Sequence, residues 1–237
     1  RAKITWTTPQ TGANGGWIDA SALTYKITRL PDSIVVAETT TGNEYIDNSI
    51  TKLNIYSYQI QAITPDGAGP TATTDRLVMG PALTVPYRCN FATDDQFALW
   101  NVIDANNDKY TWKRETTLAA AYYYYNEDGE TGGDDWLVSS PIHLEKDKIY
   151  RLKFKLQSYD VGYPEKVAVH LGTGASVAEQ TTLLGDYEIE SNTFVEYKVI
   201  LPEKLESGNY HISFHCHSEP YMFILYVTDV LLEEVSE

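Results

Sequence analysis

What this chain has little of narrows it first. Among 237 residues there are two cysteines, two methionines and five histidines. Cys89 and Cys216 allow at most one internal disulfide, and two buried free thiols fit them equally well. No apolar run approaches the ~20 residues that a bilayer-spanning helix needs, so no transmembrane segment is expected. Positive charge is scarce: 18 Lys and Arg face 33 Asp and Glu, a net of −15. That excludes nucleic acid as the main partner, because phosphate binding needs clustered cations. The chain opens on Arg1, with no initiator Met and no signal-like start, which reads as a processed product or a cut fragment. Catalytic signatures are missing as well. There is no Gly-x-Ser-x-Gly, no His-Glu-x-x-His, no phosphate-cradling Gly loop and no Glu-x-Asp-x-x-Glu cluster. Only a pair of carboxylates facing each other in a cleft would restore an enzymatic reading, that of a glycosidase.

Aromatics are plentiful instead, with 18 Tyr and five Trp, residues that suit strands and interaction surfaces. Period-2 alternation of apolar with polar residues recurs along the chain. It covers Ile4–Thr8, Leu23–Thr28 and Tyr56–Ala62, and later Tyr150–Leu156, Val167–Leu171, Val195–Leu201, Ile212–Cys216 and Phe223–Val227. Turn signals such as Pro31-Asp32, Gly42-Asn43 and Pro65-Asp-Gly67 separate them, and no stretch keeps a helical period. The chain is therefore expected to be all-β. Charge divides it further. Residues 1–80 carry six basic and seven acidic side chains, residues 81–237 twelve and twenty-six. The shift falls at Gly80-Pro81, a structure-breaking pair, so two domains are expected, 1–80 and 81–237.

Each part resembles a known family. Ile-Thr-Trp6, Leu-Thr-Tyr-Lys-Ile27, Ile50 with Tyr56-Ser-Tyr-Gln-Ile-Gln-Ala62, and Pro-Asp-Gly-Ala-Gly69 resemble a fibronectin type III β-sandwich, with Ile50 and Tyr56 at its tyrosine corner. That family has one more strand before the Trp-bearing one, while almost nothing precedes Ile4 here. The edge beside Ile4–Thr8 is thus expected to be covered by a neighbouring chain or by residues ahead of Arg1. In the second part, five motifs run in order. They are Trp100–Asp108, Tyr-Thr-Trp112, Asp134-Asp-Trp-Leu-Val-Ser-Ser-Pro141, Tyr163–Val169 and Val227-Thr-Asp-Val230. They resemble the cleaved adhesin family, MAM-like jelly rolls of secreted and surface proteins of Bacteroidetes, including the adhesin regions of gingipains. The resemblance implies a fibronectin type III-like β-sandwich followed by a jelly-roll β-sandwich. It also implies a non-catalytic adhesin at the cell surface or secreted, binding an extracellular protein or a glycan. The alternative is an accessory binding module of a larger secreted protease or glycosidase.

Several residues stand out as site candidates. Asp104, Asn106 and Asp108 form an alternating oxygen-donor series, with Glu115 further on, and suit calcium. Lys109 stands where an EF-hand needs Gly, so that loop type is excluded; the plain alternative is a polar turn. The resembled family often binds calcium, and this chain departs from its pattern at Ala92 and Thr228. His215 and His217 share a strand face near Glu219, a zinc pair lacking a third ligand or simply two histidines on a solvated sheet. Tyr122, Tyr123, Tyr124 and Tyr125 form an aromatic run; in a strand two would point outward, to stack on sugar or anchor a protein. Trp17, in a Gly-flanked turn, reads as packing between the domains or as an exposed contact. Trp6, Trp100, Trp112 and Trp136 read as core.

Overall fold

The alternating stretches become strands because residues two apart share a face, and one face of each can be buried while the other stays wet. In the computed structural model, which describes residues 1–125 and 131–235, the chain divides into two units, Arg1–Pro81 and Ala82–Glu237. The first holds β1 (Ala2–Thr5), β2 (Thr24–Leu30), β3 (Ile34–Thr40), β4 (Glu44–Asp47), β5 (Asn54–Thr64), β6 (Gly67–Thr73) and β7 (Leu77–Met79). Strands β1 and β4 pair in a two-stranded sheet. The other sheet has the order β3-β2-β5-β6, with β7 pairing the start of β5. Ala2 and Ile4 from the small sheet meet Tyr25, Ile27, Tyr58 and Ile60 from the large one, and Trp6 packs on Tyr25 at 5.0 Å between ring centroids. Among the described residues no second strand pairs with β1.

A buried charge network ties this unit together. Arg29 donates to Asp47 at 2.9 Å and to Asp32 at 2.7 Å, and Asp47 also accepts from the Tyr58 hydroxyl at 2.8 Å. Both Arg29 and Asp47 are buried. Burial disfavours the Asp47 carboxylate, but hydrogen bonds from Ser49, Tyr58 and Arg29 outweigh it and hold its pKa below the usual value. The Tyr56 hydroxyl donates to the Lys52 carbonyl at 3.0 Å, fastening the start of β5 to the turn before it.

The second unit is a jelly-roll β-sandwich. Its elements are β8 (Tyr87–Cys89), a short helix α1 (Asp94–Ala98), β9 (Asn101–Asp104), β10 (Lys113–Glu115), β11 (Ala120–Tyr124), β12 (Asp135–Val138) and β13 (Ile142–Leu144), followed by β14 (Ile149–Ser158), β15 (Glu165–Gly172), β16 (Thr182–Ile189), β17 (Val195–Ile200), β18 (Gly208–Cys216) and β19 (Ile224–Val235). One sheet has the order β10-β11-β19-β14-β17, with β8 also on β19. The other has β16-β15-β18-β12-β9, with β13 also on β18. Leu152, Phe154, Leu156, Leu225 and Val227 of the first sheet face Leu137, Val167, Val169, Ile212 and Phe214 of the second. Full burial of each such side chain contributes about 1.5–3 kcal/mol. Trp100 and Trp112 are in this core. Trp136 is buried too, but on the opposite face of its sheet, stacked on His215 at 4.0 Å. Cys89 and Cys216 are both buried free thiols, one in each sheet.

Candidate ligand-binding face

The alternation that sends Leu152, Phe154 and Leu156 into the core sends Arg151, Lys153, Lys155 and Gln157 to the outer face of the β10-β11-β19-β14-β17 sheet. Strand β11 obeys the same rule. Tyr123 turns inward, fully buried against Trp112, and is a core residue that no ligand can reach. Tyr122 and Tyr124 turn outward. Tyr122 pairs with Tyr226 of β19 across the ladder, their rings 6.2 Å apart, and Gln157 stands beside Tyr226 on β14. Tyr125 lies just past β11, half-buried, with its ring 5.2 Å from Tyr124.

Two loops extend these tyrosines into a larger aromatic cluster. Phe223, just before β19, sits at its centre, 5.5 Å from Tyr124, 5.6 Å from Tyr125, 4.6 Å from Tyr159 and 6.1 Å from Tyr163. Tyr159 and Tyr163 are 53 and 48 % exposed, so the cluster is open to water. Exposed aromatics held in place by other aromatics are suited to stacking against a flat apolar face of a ligand, because their side-chain entropy is already lost. The sequence run Tyr122–Tyr125 supplied three members of this cluster or its margin; Tyr159, Tyr163, Phe223 and Tyr226 come from distant segments with no shared motif.

Beneath the cluster lies a buried acid. Glu165, at the start of β15, is fully buried, accepts from the Phe223 backbone N–H at 2.7 Å and from the Ser218 hydroxyl at 2.5 Å. Burial pushes its pKa up to about 7 against those hydrogen bonds. Asp135, on β12, is likewise fully buried; burial, then the nearby charges of Asp104 and Asp108, push it up to about 7, while Thr111 pulls the other way. Both carboxyls are enclosed in the sandwich, so neither faces a cleft as a glycosidase pair would have to.

The histidines occupy the outer face of the other sheet. His215 Nε2 lies 2.8 Å from Asp134 and His217 Nε2 2.8 Å from Asp186, while Glu219 pairs with Lys166 at 2.8 Å. His215, His217 and Glu219 are therefore each committed to a different partner. Burial lowers the pKa of His215 and of the neighbouring His170.

The calcium candidates form a self-closed loop. Asp104 accepts from the Asp108 and Lys109 backbone N–H groups at 3.2 and 2.8 Å, Asn106 accepts from Asp108 at 3.3 Å, and Asp108 accepts from Tyr110 at 2.8 Å. Asn106 Nδ2 donates to the Gly132 carbonyl at 3.0 Å. Asn107 and Lys109 have positive φ, 58° and 72°, which curls the backbone so that its amides reach these oxygens. Backbone amides thus already donate to several of the oxygens a calcium ion would use, and among the described residues no three His, Cys, Asp or Glu side chains are grouped to hold an ion. The positions where the resembled family implies further ligands do not fit a cation either. The Thr228 hydroxyl lies 2.6 Å from the Ala119 carbonyl and 3.2 Å from that of Asn90, and the Arg114 guanidinium lies 3.3 Å from the Ala92 carbonyl. A hydroxyl and a guanidinium take the carbonyl oxygens there.

Trp17 is 85 % exposed in its turn, paired with Thr11 through an isolated bridge. No helix among the described residues is long and apolar enough to cross a membrane.

No family model matches this chain, and no curated protein matches it. Solved structures do. The chain is similar to the K1 cleaved adhesin domain of Lys-gingipain from Porphyromonas gingivalis W83, at 20 % identity and a TM-score of 0.53, over 64 % of this chain and 99 % of that one. It is similar to the K3 cleaved adhesin domain of the same protein at 19 % identity and a TM-score of 0.50, over 62 % and 96 %. The K2 cleaved adhesin domain gives 14 % identity and a TM-score of 0.50, over 62 % and 99 %. The share of this chain covered is close to that of the second unit. At such identities the likeness establishes a common fold, that of the cleaved adhesin jelly rolls.

Proposed function

We propose that the chain is a non-catalytic binding module that works at a cell surface or outside the cell, and that its ligand is a glycan. The observation that carries this reading is the aromatic cluster around Phe223, where Tyr159 and Tyr163 are exposed, pre-positioned and continuous with Tyr124 and the Tyr122–Tyr226 pair. Tyrosine faces suit the C–H faces of pyranose rings, and their hydroxyls suit sugar hydroxyls. The likeness in fold to gingipain adhesin domains agrees with a module that binds rather than catalyses, and with an accessory role beside a larger secreted enzyme. For the first unit we propose a fibronectin type III-type sandwich serving as a spacer. The Tyr56–Lys52 hydrogen bond at the head of β5 supports it, since a tyrosine corner makes this contact. The test is a glycan array run beside a panel of immobilised extracellular-matrix proteins. Retention on glycans, lost in Tyr159→Ala/Tyr163→Ala, supports the reading; retention on matrix proteins alone replaces it with protein adhesion.

A further inference from the structure

The outer face that carries the tyrosines changes character along β14. Across the ladders, Arg88 of β8, Leu231 of β19, Lys153 of β14 and Lys198 of β17 form one row. Arg151 and Lys155 lie one pleat to either side of Lys153 on the same face. Six of the twelve cations of residues 81–237, Lys113 of β10 among them, are therefore on this face, against four of their twenty-six acids, Glu115, Glu196, Asp229 and Glu233. In a chain of net −15 this is the reverse of what composition would scatter there. The acids do not cancel the cations. Glu233 is shared between Arg151 at 2.7 Å and Lys153 at 2.9 Å, and the two cations hold its pKa down to about 2. Asp229 pairs with Lys155 at 2.8 Å and Glu196 with Lys198 at 2.9 Å. Arg88 has no carboxylate partner among the described residues, and it is exposed. A groove of about 590 Å³ opens on this face, with Arg88, Lys153, Lys155, Glu196, Asp229 and Glu233 on its rim. From the Lys153 row to the row of Gln157, Tyr226 and Tyr122 is four residues along β14, about 13–14 Å by strand geometry.

We propose that this groove binds an anionic group on the same glycan that stacks on the tyrosines, so that the ligand is an acidic polysaccharide bearing carboxylate or sulfate. The inference rests on the glycan reading above. Arg88 supplies an unpaired planar donor fork that matches a carboxylate or sulfate, and Lys153 and Lys155 add point charges beside it. The excess of cations sets this face apart within a unit that carries twelve cations against twenty-six acids. Aromatics at one end of this face and cations at the other fit a chain whose rings stack while its substituents pair.

Paired probes test it. Affinity electrophoresis of the whole chain compares polygalacturonate with its methyl ester, and dextran sulfate with dextran; polyglutamate carries charge without sugar. Expected is retention at least tenfold stronger on one charged polysaccharide than on its neutral twin, weakened in 0.5 M NaCl. Arg88→Glu should lower it about tenfold with an unchanged melting temperature. The carboxylate and sulfate arms tell which anion is preferred. Equal retention of charged and neutral twins, with Tyr159→Ala/Tyr163→Ala abolishing both, overturns the anionic inference and leaves the glycan reading standing. Polyglutamate held as tightly as polygalacturonate, with no effect of the tyrosine variant, overturns both.

Discussion

Asp135→Asn isolates the cost of burying a carboxyl in the second unit. The side chain is fully buried, one of its oxygens has no hydrogen-bond partner among the described residues, and its pKa is pushed from 3.8 up to about 7. An unfolded chain loses this proton near pH 4, while the folded one keeps it until about pH 7. The folded state therefore binds the extra proton in that window, so its stability is full below about pH 4 and falls as the pH rises through 7. About three units at about 1.4 kcal/mol each gives a loss on the order of 4 kcal/mol by pH 8. Asparagine keeps the shape and cannot ionise. At pH 8 the variant should be more stable than the parent by up to about 4 kcal/mol, on the order of 10 °C in the melting of a unit this size. At pH 4 the two should nearly coincide. The assay is calorimetry from pH 4 to 8.5, taking the difference between variant and parent in the transition of the second unit. Differencing removes Glu165, which has the same sign, and the buried histidines His170 and His215, whose lowered pKa values cost stability as the pH falls. Parallel profiles across the range would refute the reasoning, because they would mean that Asp135 ionises as it does in water.

Since the Asp104 loop closes on its own amides and Arg114 and Thr228 take the neighbouring carbonyls, melting curves with millimolar calcium and with a chelator should superimpose; a rise with calcium would show that the loop opens to take the ion. In the first unit, Arg29→Ala leaves the Asp47 carboxylate buried without its cation, and urea unfolding should show a loss of about 3–5 kcal/mol. Asp47→Asn should cost less; equal losses would argue against an uncompensated charge as the cause. Glu165→Ala removes the acceptor that fixes the Phe223 backbone, so glycan retention should weaken while Glu165→Gln largely preserves it. If both variants bind as the parent does, Phe223 is held by its ring contacts alone.

Strand positions were legible because burial on one face leaves a period of two, and that signal is strong in Tyr150–Leu156 and Ile212–Cys216. The same alternation already displayed the cations of β14, yet a row of Arg151, Lys153 and Lys155 gains meaning only when Arg88 and Lys198 are set beside it by cross-strand pairing. Pairing joins segments up to about 140 residues apart and leaves no trace in local spacing. The tyrosine run is legible as one strand, but not that Tyr159 and Tyr163 join its outer side from another loop while Tyr123 is buried in the core. The Asp104–Asp108 series looked like a cation loop because oxygen donors at alternate positions serve two purposes. They bind a metal, or they accept from the next backbone amides, and positive φ at Asn107 and Lys109 brings those amides within reach.

If the tyrosines around Phe223 carry glycan binding, isothermal titration of Tyr159→Ala/Tyr163→Ala against a glycan retained by the parent will show it. Both side chains are about half exposed, so their loss should leave the melting temperature within a degree or two while affinity falls at least tenfold, about 1.4 kcal/mol or more. Unchanged affinity in a variant that melts with the parent would contradict the claim and place the glycan elsewhere on the molecule.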